Sequence, residues 1–234
     1  MSIGEDLFDT GCRAFENWQA TGSIDQLETA VRDFRQARYL RWRSLSSLPR
    51  CLETSVYALE QHLRAKPEST RPDRDEIIEV LTVLQALDDA SMDEAWSYGQ
   101  RGWHLMLRYM SLRCFTDLND AVVDFKTALA RSARGDPQIY RRATNVAWAC
   151  EERFDFTRAR GQNFRTIIMD DPSLNLHLEL TGPYDLVQPM SLLEPLLVPD
   201  PERAPAPPPA LTAIKRNLAN LLRSEEHTSE LQSP

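Results

Sequence analysis

Apolar positions recur along this chain at helical spacing, and one stretch of that pattern occurs twice. Residues 11–37 read GCRAFENWQATGSIDQLETAVRDFRQA. Residues 102–128, displaced by 91 positions without a gap, read GWHLMLRYMSLRCFTDLNDAVVDFKTA. Gly11 falls on Gly102 and Trp18 on Tyr109. Leu27, Ala30, Val31, Asp33, Phe34 and Ala37 fall on Leu118, Ala121, Val122, Asp124, Phe125 and Ala128. The shared spacing, Leu-x2-Ala-Val-x2-Phe-x2-Ala, is a stripe at i, i+3, i+4, i+7 and i+10, so each copy is predicted to end in an amphipathic helix. Alanines on that face let a neighbouring helix axis come close, and Phe34 or Phe125 fills the space one turn on. Self-similarity of this kind marks stacked-repeat architectures.

The remaining pattern predicts eight helices in four hairpins over about 170 residues, near 45 per hairpin. The first pair spans 5–20 and 24–41, with Thr21-Gly22 as the turn and Ser23 with Gln26 as a capping box. The second spans 48–65 and 73–88, with Pro67 and Pro72 bracketing the break. There Asp73 and Glu76 are expected to cap a helix whose Ile77, Val80, Leu81, Leu84 and Leu87 form one face. Ser91 with Glu94 opens a long helix to about Ser111, and Thr116 is expected to cap the repeated helix after it. Asp136-Pro137 reads as an N-cap followed by a first-turn proline, starting a helix to about Phe154; a weaker one runs from Thr157 to about Met169.

Beyond Asp171-Pro172 the character changes. Residues 173–181, SLNLHLELT, alternate leucine with polar residues and predict a short strand or extended arm. From Pro183 to Pro209 there are nine of the fifteen prolines, ending in APAPPPA, which predicts an extended polyproline linker. A last helix is expected at Leu211–Leu222, with apolar residues at 211, 214, 218, 221 and 222. Arg223–Ser233, RSEEHTSELQS, resembles the translation of a common sequencing adapter in one frame. Residues 223–234 are therefore expected to be an artefact, with the gene continuing where the adapter interrupts it. The expected domains are a helical repeat domain at 1–172, a linker at 173–210, a short helix at 211–222 and the artefact at 223–234.

The motif Ala-x3-Phe-x2-Ala at Ala30-Phe34-Ala37 and Ala121-Phe125-Ala128 resembles the second helix of tetratricopeptide repeats. Nineteen residues separate Gly11 from Ala30 and Gly102 from Ala121. That is longer than the ordinary repeat and similar to the long-loop variant found in fungal and actinomycete arrays, often beside caspase-like peptidase or signalling domains. Thr21-Gly22 and Leu27 sit where that variant has them; in the fourth hairpin Asn145-Val146-Ala147, Arg153-Phe154 and Thr157 match in register. The third hairpin departs, with Leu112-Arg113 in place of Thr-Gly, and the second keeps almost none of the pattern. The resemblance covers residues 5–170. It implies an all-α, right-handed solenoid of about four hairpins with a proline-rich tail, and a concave surface lined by the first helix of each pair. On that template the lining positions are Asp9, Arg13 and Asn17, then Gln100, His104 and Arg108, then Asn145, Ala149 and Arg153. Asparagine and arginine in such a groove hold a peptide backbone or a carboxylate through charge-assisted hydrogen bonds.

Composition narrows the chemistry. Hydrophobic residues make up 42% of the 234 residues, enough for a real core, and the net charge of −8 disfavours general nucleic-acid affinity. Nowhere do eighteen apolar residues run together, and MSIGEDLFDT carries acid where a secretory signal carries base. A soluble, cytoplasmic protein is expected. Cys12, Cys51, Cys114 and Cys150 lie far apart and suit reduced core thiols rather than a disulfide framework or a cysteine–histidine peptidase dyad. His177 and Glu179 are a close pair with no second cluster to complete a metal site, and there is no phosphate-cradling glycine loop. No cofactor is expected. Arg32, Arg35, Arg38, Arg41 and Arg43 interleave with Phe34, Tyr39 and Trp42, but read better as a solvated face, with Glu28 placed to pair with Arg32. Tryptophans 18, 96, 103 and 148 are expected to pack rather than form a ligand cage.

The expectation from these patterns is a non-enzymatic scaffold or adaptor that binds a protein or peptide on its concave face. It is expected to bind neither nucleic acid nor membrane, and to self-associate through exposed end helices. The alternative is a regulatory fragment of a larger enzyme or signalling protein whose catalytic part lies beyond the interruption.

Overall fold

The structure, a computed structural model, describes residues 3–40, 48–66, 70–87, 93–133, 135–159, six positions between 190 and 197, and 208–231. Among the described residues all regular structure is helical. The helices are α1 (Ile3–Thr21), α2 (Ile24–Tyr39), α3 (Leu48–Ala65), α4 (Thr70–Gln85), α5 (Glu94–Leu112), α6 (Phe115–Ala130), α7 (Ile139–Ala159) and α8 (Pro208–Leu231). The chain divides into two compact units, Met1–His104 and Leu105–Pro234, with the boundary inside α5.

The 91-residue displacement carries over to the backbone. α1 and α5 start and stop at positions 91 apart, as do α2 and α6. Their turns match as well. Gly22 and Arg113 both take a left-handed conformation, at φ 70° and 55°. Ser23 and Cys114, the next residues, are both extended, at φ −68°, ψ 116° and φ −76°, ψ 117°. The Gly22 N–H donates to the Trp18 carbonyl at 2.7 Å, and the Arg113 N–H to the Tyr109 carbonyl at 2.6 Å. The Arg113 guanidinium lies 5.3 Å from the Tyr109 ring centre and 3.9 Å from Glu152, contacts that partly offset the strain of a conformation favouring glycine. All six residues of the shared stripe are buried in both copies, Phe34 and Phe125 included.

In the first unit α1 packs on α2, α2 on α3 and α3 on α4. Its core joins Ala14, Ala30, Val31 and Phe34 to Leu52, Val56 and Leu59 of α3 and to Ile77, Val80, Leu81 and Leu84 of α4. Four faces of the predicted periodicity meet there. The tightest point is Gly11, where an added Cβ would lie 2.7 Å from the Phe34 ring. In the second unit α6 packs on α7 and α7 on α8. Tyr140, Ala143, Ala147 and Phe154 of α7 meet Ile214 and Leu218 of α8.

Several expectations change. Ser23 makes no side-chain cap; its own N–H is held by Thr21 Oγ1 at 3.3 Å, and its carbonyl accepts the first helical N–H groups. Asp93 caps α5, accepting the Trp96 N–H at 2.9 Å; Ser91, expected in that role, lies outside the described residues. Thr116 lies inside α6, whose N-cap is Cys114. Asp136 does accept a backbone N–H, from Gln138 at 2.7 Å, although α7 starts only at Ile139. Within the expected linker, residues 190–191, 193–194 and 196–197 are helical, and Met190, Leu193 and Leu196 are buried against the α7–α8 core. That i, i+3, i+6 apolar stripe outweighs the prolines around it. Similarly, α8 begins in Pro208 and Pro209, where a helix needs no proline N–H, and continues past Leu222 to Leu231. The alternating stretch 173–181 and the helical turns expected from 160 to 169 lie outside the described residues.

Two outcomes test this packing. Gly11→Ala should cost about 1–3 kcal/mol, because the ring it strikes is buried; adding Phe34→Leu should recover part of that loss in urea denaturation. On α7, burial first, then Asp155 and Glu152, raise the carboxyl pKa of Glu151, against the bond to Asn220 and the charge of Arg216. A raised carboxylate costs stability above its folded pKa and nothing where both states are protonated. Glu151→Gln should therefore raise Tm at neutral pH, and the gain should vanish as the pH falls below about 4.

Candidate functional site

Two surface features of the first unit bring chemistry together. The first is a charged cluster joining α2, α3 and α4. Arg35 lies on the turn after Val31 and Phe34 and reaches past the core stripe to α4. It donates through Nε to Glu76 and through Nη2 to Asp73, both at 2.7 Å. Arg38, one turn on, donates to the other Glu76 oxygen. On the far side of Asp73, the His62 Nδ1 of α3 lies 2.5 Å from Oδ2. Lys66, just after α3, pairs with Glu28 of α2 at the rim. The Asp73 side chain is 4% exposed and that of Arg35 38%, so the carboxylate depends on partners that the chain must bring to it. Burial opposes the Arg35 charge, but the bonds to Glu76 and Asp73 outweigh it and hold the guanidinium pKa above its ordinary value. At the rim the bond and charge of Lys66 hold Glu28 below the usual carboxylate range.

These contacts correct two expectations. Asp73 and Glu76 do not cap α4, which starts at Thr70; they are the acidic half of the cluster. Arg35 and Arg38 are not a solvated face, and Glu28 pairs with Lys66 while Arg32 turns to Asp33 at 3.1 Å. Charges separated by about forty residues found each other, where helical spacing had suggested a local pair. An open cleft of about 520 Å³ lies beside the cluster, lined by residues that include Thr29, Arg32, Arg35, His62 and Lys66. Its cations face carboxylates of their own, so the cluster reads as an electrostatic clamp between helices.

The second feature is a groove of about 690 Å³ between α1 and α3, lined by Phe15, Trp18 and Gln19 from α1, by Gly22 in the turn after it, and by Thr54, Tyr57 and Gln61 from α3. Positions 15, 18 and 19 share one face of α1. Phe15 and Trp18 stack with ring centres 5.2 Å apart, and Tyr57 stacks at 5.2 Å on Trp96 of α5. Tyr57 is 44% exposed. The lining is apolar and aromatic with two side-chain amides and a hydroxyl, the mixture that holds a peptide's side chains and backbone.

The residues expected to line a common surface fall into different environments. Asp9, Arg13 and Asn17 are exposed on α1, and at 3.6 residues per turn they lie opposite Phe15 and Trp18. Their counterparts on α5 are packed inward. In the orientation that satisfies both its polar atoms, Gln100 donates to Glu60 at 3.0 Å and accepts from the Trp96 indole at 3.3 Å. His104 Nε2 lies 3.3 Å from the same Glu60 carboxylate, and its Nδ1 meets no partner. Arg108 makes a two-pronged contact with Asp117 at 2.9 and 2.7 Å. In α7, Ala149 and Arg153 are buried, Arg153 donating to Asn119 at 2.7 Å, and Asn145 is half-buried. The register that faces solvent on α1 is a packing register on α5, because α3 stands beside α5 there.

The cysteines are all free; Cys51 and Cys150 are buried, Cys12 is partly so, and Cys114 is exposed. Burial first, then Asp9 and Glu16, raise the Cys12 pKa, against the pull of Arg50, which leaves that thiol a poor nucleophile. Among the described residues no three of His, Cys, Asp and Glu are placed to hold a metal ion, and no helix is long and apolar enough to cross a membrane. The chain matches no family model, no curated protein and no solved structure.

Removing one partner of the clamp exposes its cost. Arg35→Met should destabilise the first unit by about 1–3 kcal/mol, less than for a fully buried pair because the arginine is partly exposed. Combining it with Asp73→Asn should cost less than the sum of the two single changes in a double-mutant cycle.

Proposed function

We propose that this chain is a non-enzymatic protein-interaction scaffold, a tetratricopeptide-like array of helical hairpins that takes a peptide in the groove between α1 and α3. The observation that carries this reading is the groove itself. It runs between the first helices of two successive pairs and offers three aromatic faces beside amides and a hydroxyl. Aromatic side chains bury large areas at small entropic cost and dominate binding energy, while amides pair with a peptide backbone. The paired helix bounds and the matching turns at Gly22 and Arg113 support the repeat reading. The outer side of α1, with Asp9, Arg13 and Asn17, is polar and serves as a solvated cap to the array.

A labelled-peptide screen by fluorescence anisotropy tests the proposal. Peptides that bind should lose about tenfold or more in affinity on Trp18→Ala or Tyr57→Ala, with helical circular dichroism retained. Arg13→Ala, on the other side of α1, should leave affinity unchanged. Equal binding by all three variants would place the interaction elsewhere.

A further inference from the structure

The α1–α3 groove has a sign as well as a shape. None of the seven lining residues is charged. The last turn of α1, which supplies Trp18 and Gln19, holds no basic residue, so the partial negative charge of the helix terminus is not offset there. Around Tyr57 stand Glu60, Glu53 and Asp93; burial first, and then these three carboxylates, push its phenol above the ordinary value. Glu60 is engaged by His104 and Gln100, whereas Asp93 is exposed and uses one oxygen to cap α5. Arg50 and Arg64 lie seven residues to either side of Tyr57, about 10 Å along α3. The middle of the groove therefore presents negative aromatic faces in a negative surround. That combination attracts a guanidinium or ammonium and repels a carboxylate.

Building on the peptide-binding role of this groove, we propose that its occupant is a cationic segment, with an Arg or Lys side chain laid against Trp18 and Tyr57 and its apolar neighbours against Phe15. The amides of Gln19 and Gln61 bond its backbone. Selectivity comes from the aromatic faces at the centre and the carboxylates around them, and the apolar contacts set the residence time.

Three synthetic peptides with identical apolar residues test this on the full chain by isothermal titration calorimetry. One carries Arg at the central position, one Gln and one Glu. The Arg peptide should bind about tenfold more tightly than the Gln peptide, and the Glu peptide more weakly than either. Raising the salt should narrow the gap. Tyr57→Leu, which keeps bulk but removes the π face, should shrink the Arg preference, with circular dichroism confirming the fold. Asp93→Asn, which keeps the capping oxygen and removes the charge, should do the same while leaving the Gln peptide unchanged. If the Gln or Glu peptide binds as tightly as the Arg peptide, the cationic assignment is overturned and peptide binding stands. If folded protein binds none of the three and no peptide of a wider screen, both readings fall.

Discussion

The fold of the first unit depends on how closely α1 approaches α2, and that distance is set by one ring against one missing side chain. Phe34 is 2% exposed, and a single carbon added at Gly11 would stand 2.7 Å from it. Interiors packed to this density do not yield to an added atom without moving a helix. The same stripe then presents Ala30 and Val31 to the shared core, where α3 and α4 complete a cluster that no single pair of helices could enclose. In this unit each of the two hairpins buries its apolar side against the other.

Apolar packing alone leaves helices free to slide along one another, since it has little directional preference. The charged clamp supplies direction. Asp73 is buried and accepts from Arg35 of α2 while facing His62 of α3, so one carboxylate is shared by three helices. Such a site gains little over a well-packed apolar one but penalises every arrangement in which the carboxylate is left alone. Built on Arg35, the residue after the Phe34 that meets Gly11, it fixes α4 against both earlier helices. Arg108 with Asp117, and Arg153 with Asn119, play the corresponding part in the second unit.

What could be read from the sequence tracks the range of the forces involved. The 91-residue displacement foretold two helix pairs whose bounds coincide, and every residue of its stripe is buried. Helix existence is a local matter of periodicity, so it survived even where the turn glycine is replaced by Arg113. Pairing of charges is not local. Asp73 and Glu76 looked like caps because their partners, Arg35 and Arg38, lie about forty residues away and belong to another helix face. For the same reason positions 9, 13 and 17 could not be distinguished from 100, 104 and 108 by spacing alone, although one set meets water and the other is drawn into contacts with Glu60 and Asp117. Met190, Leu193 and Leu196 were hidden behind prolines that, on composition, forbid a helix. Phe15, Trp18 and Gln19 shared a legible face, but Tyr57 and Gln61 opposite them follow no repeat, so the groove emerged only when α3 was set against α1.

The groove and the clamp lie on adjacent faces of α3, about 100° apart, and this bears on how the proposed binding surface is kept open. Tyr57 and Gln61 point toward α1, while His62, the residue after Gln61, is turned into Asp73. A peptide-binding face loses affinity if its walls must be ordered on binding, because that entropy is subtracted from the contacts made. Here α3 is held on the neighbouring face by a carboxylate–imidazole contact and at Tyr57 by the stack on Trp96, so its aromatic face is already in position. The ionic groups read from the sequence as caps and a solvated face thus serve as the frame, and the uncharged aromatic residues beside them form the wall proposed to meet a partner.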